Sequence, residues 1–243
     1  RKAILKPLRF LLANRSALVR LLLRQAPAGE NLVRHAAVIG DQYVSWGRTG
    51  LGAVMGSKNL KAIAVYGDVG VSVANLPKIM KLSKECAHGM LADTKSLNIW
   101  RDGGTWKNQM LGTYHDKLDL PRAMSEVFDL DTYDAKLDHR TVACMGCPVG
   151  CKQAMKVKDG LKHAGLSFML GCTSGTMCGP FGSGLGIIPI EEVAKCAEQV
   201  QRLGMDSSVT AGLISFAIEL YESGIITGED TDGLELTWSD PDL

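Results

Sequence analysis

Trp46-Gly47-Arg48-Thr49-Gly50-Leu51-Gly52-Ala53-Val54-Met55-Gly56-Ser57-Lys58-Asn59-Leu60-Lys61-Ala62-Ile63-Ala64-Val65-Tyr66 is the stretch on which the fold turns. It puts four glycines into ten residues and follows them with a short apolar run that suits a strand. That order reads as a glycine-rich loop leading into a buried strand. Clustered glycines let backbone N–H groups approach an anion closely, and Arg48 can add a bidentate contact, so the loop is a candidate phosphate site. A tight turn ahead of a core strand is the plainer reading of the same residues. The spacing fits neither the P-loop pattern nor a dinucleotide-binding strand, loop and helix.

Upstream, Ile4, Leu5, Leu8, Leu11, Leu12, Leu18, Leu21 and Leu22 recur at helical spacing with basic residues between them. This predicts an amphipathic helix from Lys2 to Gln25, with a break near Asn14-Arg15-Ser16, read as a surface helix packed on the rest of the protein or, alternatively, as one lying on an anionic membrane. Pro27 to Asn31 reads as a loop, and Leu32 to Tyr43 as strand or turn. Downstream the period changes. Asn75 is placed to cap a helix with Pro77 in its first turn and Ile79, Leu82, Cys86 and Met90 on one face. A second helix runs from Ile190 to Leu203, entered near Pro189 and stopped by a left-handed cap at Gly204. A third starts at a Ser207/Ser208 cap and ends at Gly224. The β character is thus expected to be confined to about the first seventy residues. The fold class is α+β, with a β unit over residues 1–75 and a mainly helical one over 76–243.

The 243 residues are 46% hydrophobic and 22% charged, which suits one or two domains with real cores. Lys+Arg number 27 against 26 Asp+Glu, a formal charge of +1, so composition gives no basis for general nucleic-acid binding. No apolar run is long enough to span a bilayer and no cleavable signal pattern opens the chain. Beginning at Arg1 and stopping at Leu243 without a closing element, it reads as an internal piece of a longer protein.

The sharpest chemical signal is Cys144-Met145-Gly146-Cys147-Pro148-Val149-Gly150-Cys151, three thiols within eight residues. A tight turn at this C-x2-C-x3-C spacing can aim three sulfurs at one soft metal centre, with Gly146 and Gly150 permitting the backbone angles. Zinc and a [4Fe–4S] cluster compete for such a site. A structural zinc site normally arrives with a second Cys or His pair, absent here, which favours iron–sulfur. Radical S-adenosylmethionine enzymes use the opposite order. Cys86 and Cys196 fall on apolar helix faces, whereas Cys172 and Cys178 flank a loop that could supply a fourth ligand. His35, His88, His115, His139 and His163 show no metal-ligand spacing among themselves. His163 stands out for its position between the cysteines and the Gly171 loop.

Taken in order, these segments resemble the aldehyde ferredoxin oxidoreductase family of tungsten- or molybdenum-pterin enzymes. The matching stretches are Pro27-Ala28-Gly29-Glu30-Asn31-Leu32-Val33, the Gly47–Ala62 run, Cys144-x2-Cys147-Pro148-x2-Cys151, and the span from Gly204-Met205-Asp206 to Trp238. The resemblance implies that residues 1–75 close a pterin-binding β base domain and that 76–243 are the helical second domain, the third domain being absent. It implies that Gly47, Arg48, Thr49 and Gly50 contact a pterin phosphate, with Gly204 and Asp206 in a further pterin motif. Cys144, Cys147 and Cys151 would bind a [4Fe–4S] cluster whose fourth cysteine lies in the third domain.

The implied reaction is oxidation of a small carbonyl substrate, an aldehyde, to the carboxylic acid, with electrons passed to ferredoxin or another electron-carrier subunit. The implied setting is the cytoplasm of an anaerobe, with a homodimer as the candidate assembly. Benzoyl-CoA reductase-type chemistry within the family, or an iron–sulfur electron-transfer module without pterin, are the alternatives. Two departures stand out. The family's Gly-Pro-Glu-Tyr-Glu-like segment is replaced by His163-Ala164-Gly165-Leu166-Ser167-Phe168-Met169-Leu170-Gly171, which has no carboxylate. In the Asp-x-x-Gly-Leu-Asp pterin motif the first aspartate is Gln201. Losing the carboxylate removes a proton-transfer or substrate-orienting group, for which His163 is the candidate substitute.

Overall fold

A computed structural model of the chain describes residues 21–40, 44–65, 72–103, 129–144, 146–170 and 178–243. Most of the expected N-terminal helix, His115, and the Gly171 loop with Cys172 lie outside the described residues.

The leucine run at the start of the described chain forms a strand. β1 (Leu21–Gln25) pairs antiparallel with β2 (Val38–Gly40) on one side and β4 (Ala62–Val65) on the other, so that Leu23 faces both Gly40 and Ile63. Consecutive leucines do not distinguish helix from strand by period, and here pairing with two neighbours decides the matter against the expected helix end. β3 (Val44–Trp46) completes a four-stranded sheet of order β3-β2-β1-β4. β4 was expected to be buried. It is instead an edge strand, with Ile63 42% and Val65 47% exposed.

The glycine run is also more ordered than a loop. After a turn at residues 47–50 it winds into α2 (Leu51–Ser57), giving strand, loop and helix in sequence. Glycines at 52 and 56 lower helix propensity and conceal the helix from a pattern reading. They are tolerated because α2 lies hard against α1 (Pro27–Glu30): a Cβ on Gly56 would collide with the Gly29 carbonyl. The Gly52 N–H donates to Ala36 O at 3.0 Å.

β structure recurs beyond residue 75. After α3 (Leu76–Ala92), α4 (Thr94–Gly103) and α5 (Leu130–Lys136), strands β5 (Leu137–Val142), β6 (Lys152–Val157) and β7 (Ser167–Leu170) form an antiparallel sheet of order β5-β6-β7. The expectation that β character stops near residue 70 fails here for a physical reason. Asp138, His139, Arg140 and Thr141 are all exposed, so β5 has no alternating apolar side chains to betray it.

This second sheet packs against α6 (Ile190–Leu203) and a π-helical turn at Cys178–Ser183, with α7 (Ser207–Glu222) beyond. Tyr133, Met155, Val157, Phe181, Ile187 and Val193 fill the core between them. α6 has the expected bounds, begins after Pro189, and ends at Gly204 with φ 75°. α7 is capped by Asp206, whose side chain accepts from Val209 N, and not by Ser207 or Ser208. Asn75 caps α3 as expected, accepting from Lys78 N at 2.9 Å. No residue of α3 is buried among the described residues. None of the described helices is long and apolar enough to cross a membrane.

Truncating Ile187, 2% exposed, to alanine is expected to cost about 2–5 kcal/mol of unfolding free energy. Ile63→Ala on the outer strand should cost less than about 1 kcal/mol. Urea denaturation of the two variants measures the contrast.

Candidate functional site

Two parts of the chain that carry the sequence signals meet at the junction of α6 and α7. Residues 35–37, which lead into β2, run antiparallel beside 204–206. Ala36 and Met205 form a β-bridge, Ala37 N donates to Gly204 O at 2.8 Å, and Asp206 N donates to His35 O at 3.4 Å. Gly204 holds its left-handed conformation directly against Ala26, where a side chain has no room.

Asp206 is the centre of this junction. Its side chain, 2% exposed, caps α7 through Val209 N at 2.9 Å, and its Oδ1 lies 3.6 Å from Arg48 Nε. Gly47 sits so near that a Cβ would fall 2.5 Å from Asp206 Oδ2. Thr210 Oγ1 donates to the Asp206 carbonyl at 2.7 Å and lies 3.2 Å from His35 Nε2. Burial holds the His35 pKa below its ordinary value, with the Asp206 charge opposing that shift. The fold therefore brings together Gly47, Arg48, Gly204 and Asp206. Thr49 and Gly50 continue the same turn, with Gly50 capping α2 at φ 70°.

The Arg48 side chain is 68% exposed, so its pairing with Asp206 adds little stability and serves chiefly to aim the guanidinium. An exposed cation on a turn flanked by Gly47 and Gly50 is chemically suited to a phosphate or another anion.

The three cysteines occupy the β5–β6 connection, which leaves the sheet at the pair Val142 and Lys152. Cys147 N donates to Cys144 O at 3.0 Å, and Gly146 and Gly150 take φ of 72° and 65°. Cys144 is exposed, while Cys147 and Cys151 are half-buried. Arg101, on α4, reaches the loop from outside, its Nε donating to Val149 O at 3.0 Å and Nη2 to Pro148 O at 2.9 Å. Sequence reading missed Arg101, because nothing local to α4 points to a loop so far along the chain.

Among the described residues no three His, Cys, Asp or Glu side chains are disposed around a single metal ion. A cubane cluster takes each thiolate on a different iron, and an all-thiol donor set on one hairpin fits that chemistry. Cys196 is buried in the core, where desolvation pushes its thiol up to about 11. Cys86 lies exposed on α3.

His163 is not brought to the thiols. It lies on the β6–β7 turn, at the opposite end of β6 from the cysteine loop, with φ 63° and Nε2 2.9 Å from Glu192 Oε2. Lys162 Nζ lies 2.5 Å from the other oxygen of that carboxylate. Burial alone would raise the Glu192 pKa, but the Lys162 and His163 hydrogen bonds outweigh it and hold the carboxyl below its usual range.

Replacing Asp206 by alanine removes the α7 cap and is expected to cost about 0.5–2 kcal/mol; Asp206→Asn, which keeps a capping oxygen, should cost less. His35 has a lower pKa folded than unfolded, so the unfolded chain binds more protons and stability declines as pH drops through the unfolded value toward the folded one. Thermal melts should therefore show a steeper loss between about pH 7.5 and about pH 5.5 in the parent than in His35→Gln.

Residues 22–67 match the family model for aldehyde ferredoxin oxidoreductase, N-terminal domain, and residues 82–243 match that for aldehyde ferredoxin oxidoreductase, domains 2 & 3. The tungsten-containing aldehyde ferredoxin oxidoreductase of Pyrococcus furiosus is 31% identical over 239 residues, covering 89% of this chain and 36% of the relative. That of Thermococcus kodakarensis is 30% identical over 236 residues with the same coverage. The aliphatic sulfonate oxidoreductase WOR-like subunit of Pyrococcus furiosus is 32% identical over 224 residues, 87% of this chain and 34% of that one. The active site complex BamBC of benzoyl coenzyme A reductase, solved with 1,5-dienoyl-CoA, shares the fold at a TM-score of 0.68 and 20% identity. It covers 95% of this chain, which spans 36% of that structure's chain. This chain thus spans about a third of the length of the relatives it matches, and across that length it belongs to the aldehyde ferredoxin oxidoreductase family.

Proposed function

We propose that this chain is part of a tungsten- or molybdenum-pterin oxidoreductase with a [4Fe–4S] cluster, oxidising an aldehyde to the carboxylic acid and passing the electrons to ferredoxin. The observation that carries the reading is the convergence of Gly47 and Arg48 with Gly204 and Asp206, two motifs far apart in sequence, around an exposed guanidinium. When bound, the metallopterin supplies the two-electron chemistry and the cluster the one-electron relay.

In this reading the chain's own residues take the following roles. Arg48 binds a pterin phosphate, with Gly47, Thr49 and Gly50 of the same turn contributing to that contact. Asp206 holds Arg48 in place, and Gly204 allows the close approach that sets Asp206. Cys144, Cys147 and Cys151 each hold one iron, the fourth ligand coming from elsewhere. His163, at the far end of β6 and 2.9 Å from Glu192 Oε2, is the candidate acid/base group in place of the missing carboxylate, and an unchanged pH profile in full-length His163→Ala would remove it from that role. Residues 1–75 serve as part of the pterin-binding domain and 76–243 as the helical domain, in a cytoplasmic enzyme whose partner is ferredoxin or an electron-carrier subunit. A homodimer is the proposed assembly.

The missing carboxylate in His163–Gly171 favours one second reading, a reductive subunit of the benzoyl-CoA reductase type acting on an acyl thioester. Metal analysis of the anaerobically purified full-length protein is expected to find tungsten or molybdenum with about four iron per chain. Cys147→Ser should lose most of that iron. Iron alone would instead indicate an electron-transfer module, and zinc alone would overturn both enzyme readings. Viologen-linked assays then separate the two reactions, aldehyde turnover supporting the first and acyl-CoA turnover the second.

A further inference from the structure

We infer that Arg101 is the positioning residue of the cysteine hairpin, presetting the arm between Cys147 and Cys151 and holding a positive charge against the cluster seated there. The inference rests on the iron–sulfur reading of that hairpin. Pro148 and Val149 are two of the three residues separating Cys147 from Cys151, and the guanidinium binds both of their carbonyls, at 2.9 Å and 3.0 Å. The third spacer residue, Gly150, is buried with φ 65°, against Thr141 of β5. The whole x3 spacer is therefore fixed, from one side by α4 and from the other by the sheet. A planar guanidinium suits this task because its donors leave in a fixed fork, so two neighbouring acceptors are held in one relative orientation.

The clamp is itself held. Gln153, fully buried on β6, donates from Nε2 to the Arg101 carbonyl at 2.5 Å, and its Oε1 lies 3.4 Å from His139 Nδ1. The strand leaving the loop thus fixes the helix whose side chain fixes the loop. Among the described residues the Arg101 guanidinium is in no ion pair, and both of its bonds go to neutral backbone carbonyls. Reduction of a cluster adds negative charge, and a cation fixed on the spacer between two of its ligands favours the reduced state. A residue that merely braced the fold would leave the midpoint potential unmoved.

The experiment compares Arg101→Met and Arg101→Lys with the parent in the full-length holoenzyme, using a redox titration of the cluster followed by electron paramagnetic resonance. Arg101→Met is expected to disfavour reduction about tenfold, a fall of about 59 mV for one electron. Arg101→Lys, which keeps the charge without the fork, should remain within about threefold of the parent but lose iron to a chelator at least about threefold faster. In the metal-free full chain, hydrogen exchange at the amides of residues 146, 147 and 149–151 should quicken in both variants. Parental potential, iron retention and exchange in both variants would overturn the inference. If Arg101→Met fails to fold, unchanged chelator loss and exchange in Arg101→Lys do the same. A parent protein without iron would count against the cluster reading itself, while the exchange comparison still decides whether Arg101 holds the loop.

Discussion

The buried carboxylate of Asp206 joins the two sheets' territories into one molecule. It caps α7, it pairs with Arg48 from the turn after β3, and it occupies the space that a side chain on Gly47 would need. Burying a carboxylate is costly unless hydrogen bonds and charge surround it, and here a helix N-terminus and a guanidinium provide both. The backbone on either side is committed as well, through the bridge of Ala36 to Met205 and the bond from Ala37 to Gly204. A side chain at 47 would meet the Asp206 carboxylate, and one at 204, where φ is 75°, would meet the Ala26 methyl.

How much of this was legible in the sequence depended on whether the deciding contacts were local. α6 was readable to the residue, since an apolar face, Pro189 before it and Gly204 after it all agree. Asn75 marked the start of α3 by the same local logic. The leucines of β1 and the glycines of α2 were misleading because neighbours in space, and not their own pattern, set their conformations. The polar face of β5 hid a whole sheet. At the site, Arg48, Asp206 and the cysteines were each visible as motifs, but the meeting of Arg48 with Asp206 and the hold of Arg101 on the loop are products of the tertiary fold.

The departures from the family pattern sit on well-packed ground. Gln201 stands on the last turn of α6, and its carbonyl accepts from Gly204 N at 3.2 Å, so the turn leading to Asp206 keeps its geometry although the first aspartate of the motif is gone. His163 and Lys162 fasten the β6–β7 turn to the first turn of α6 through Glu192. A carboxylate near a helix N-terminus is favoured by the peptide dipoles, and it gives this turn an electrostatic mooring of its own.

The cysteine loop springs from a hairpin whose strands pair along six residues, Leu137 to Val142 against Lys152 to Val157. In small zinc modules the metal itself drives the chain to fold, so apoprotein and disorder go together. Here both ends of the sulfur-bearing bend are fixed to a six-residue ladder of backbone bonds in which no thiol takes part. A bend tethered at both ends has fewer conformations to lose than a free segment of equal length, whatever its sulfurs come to hold.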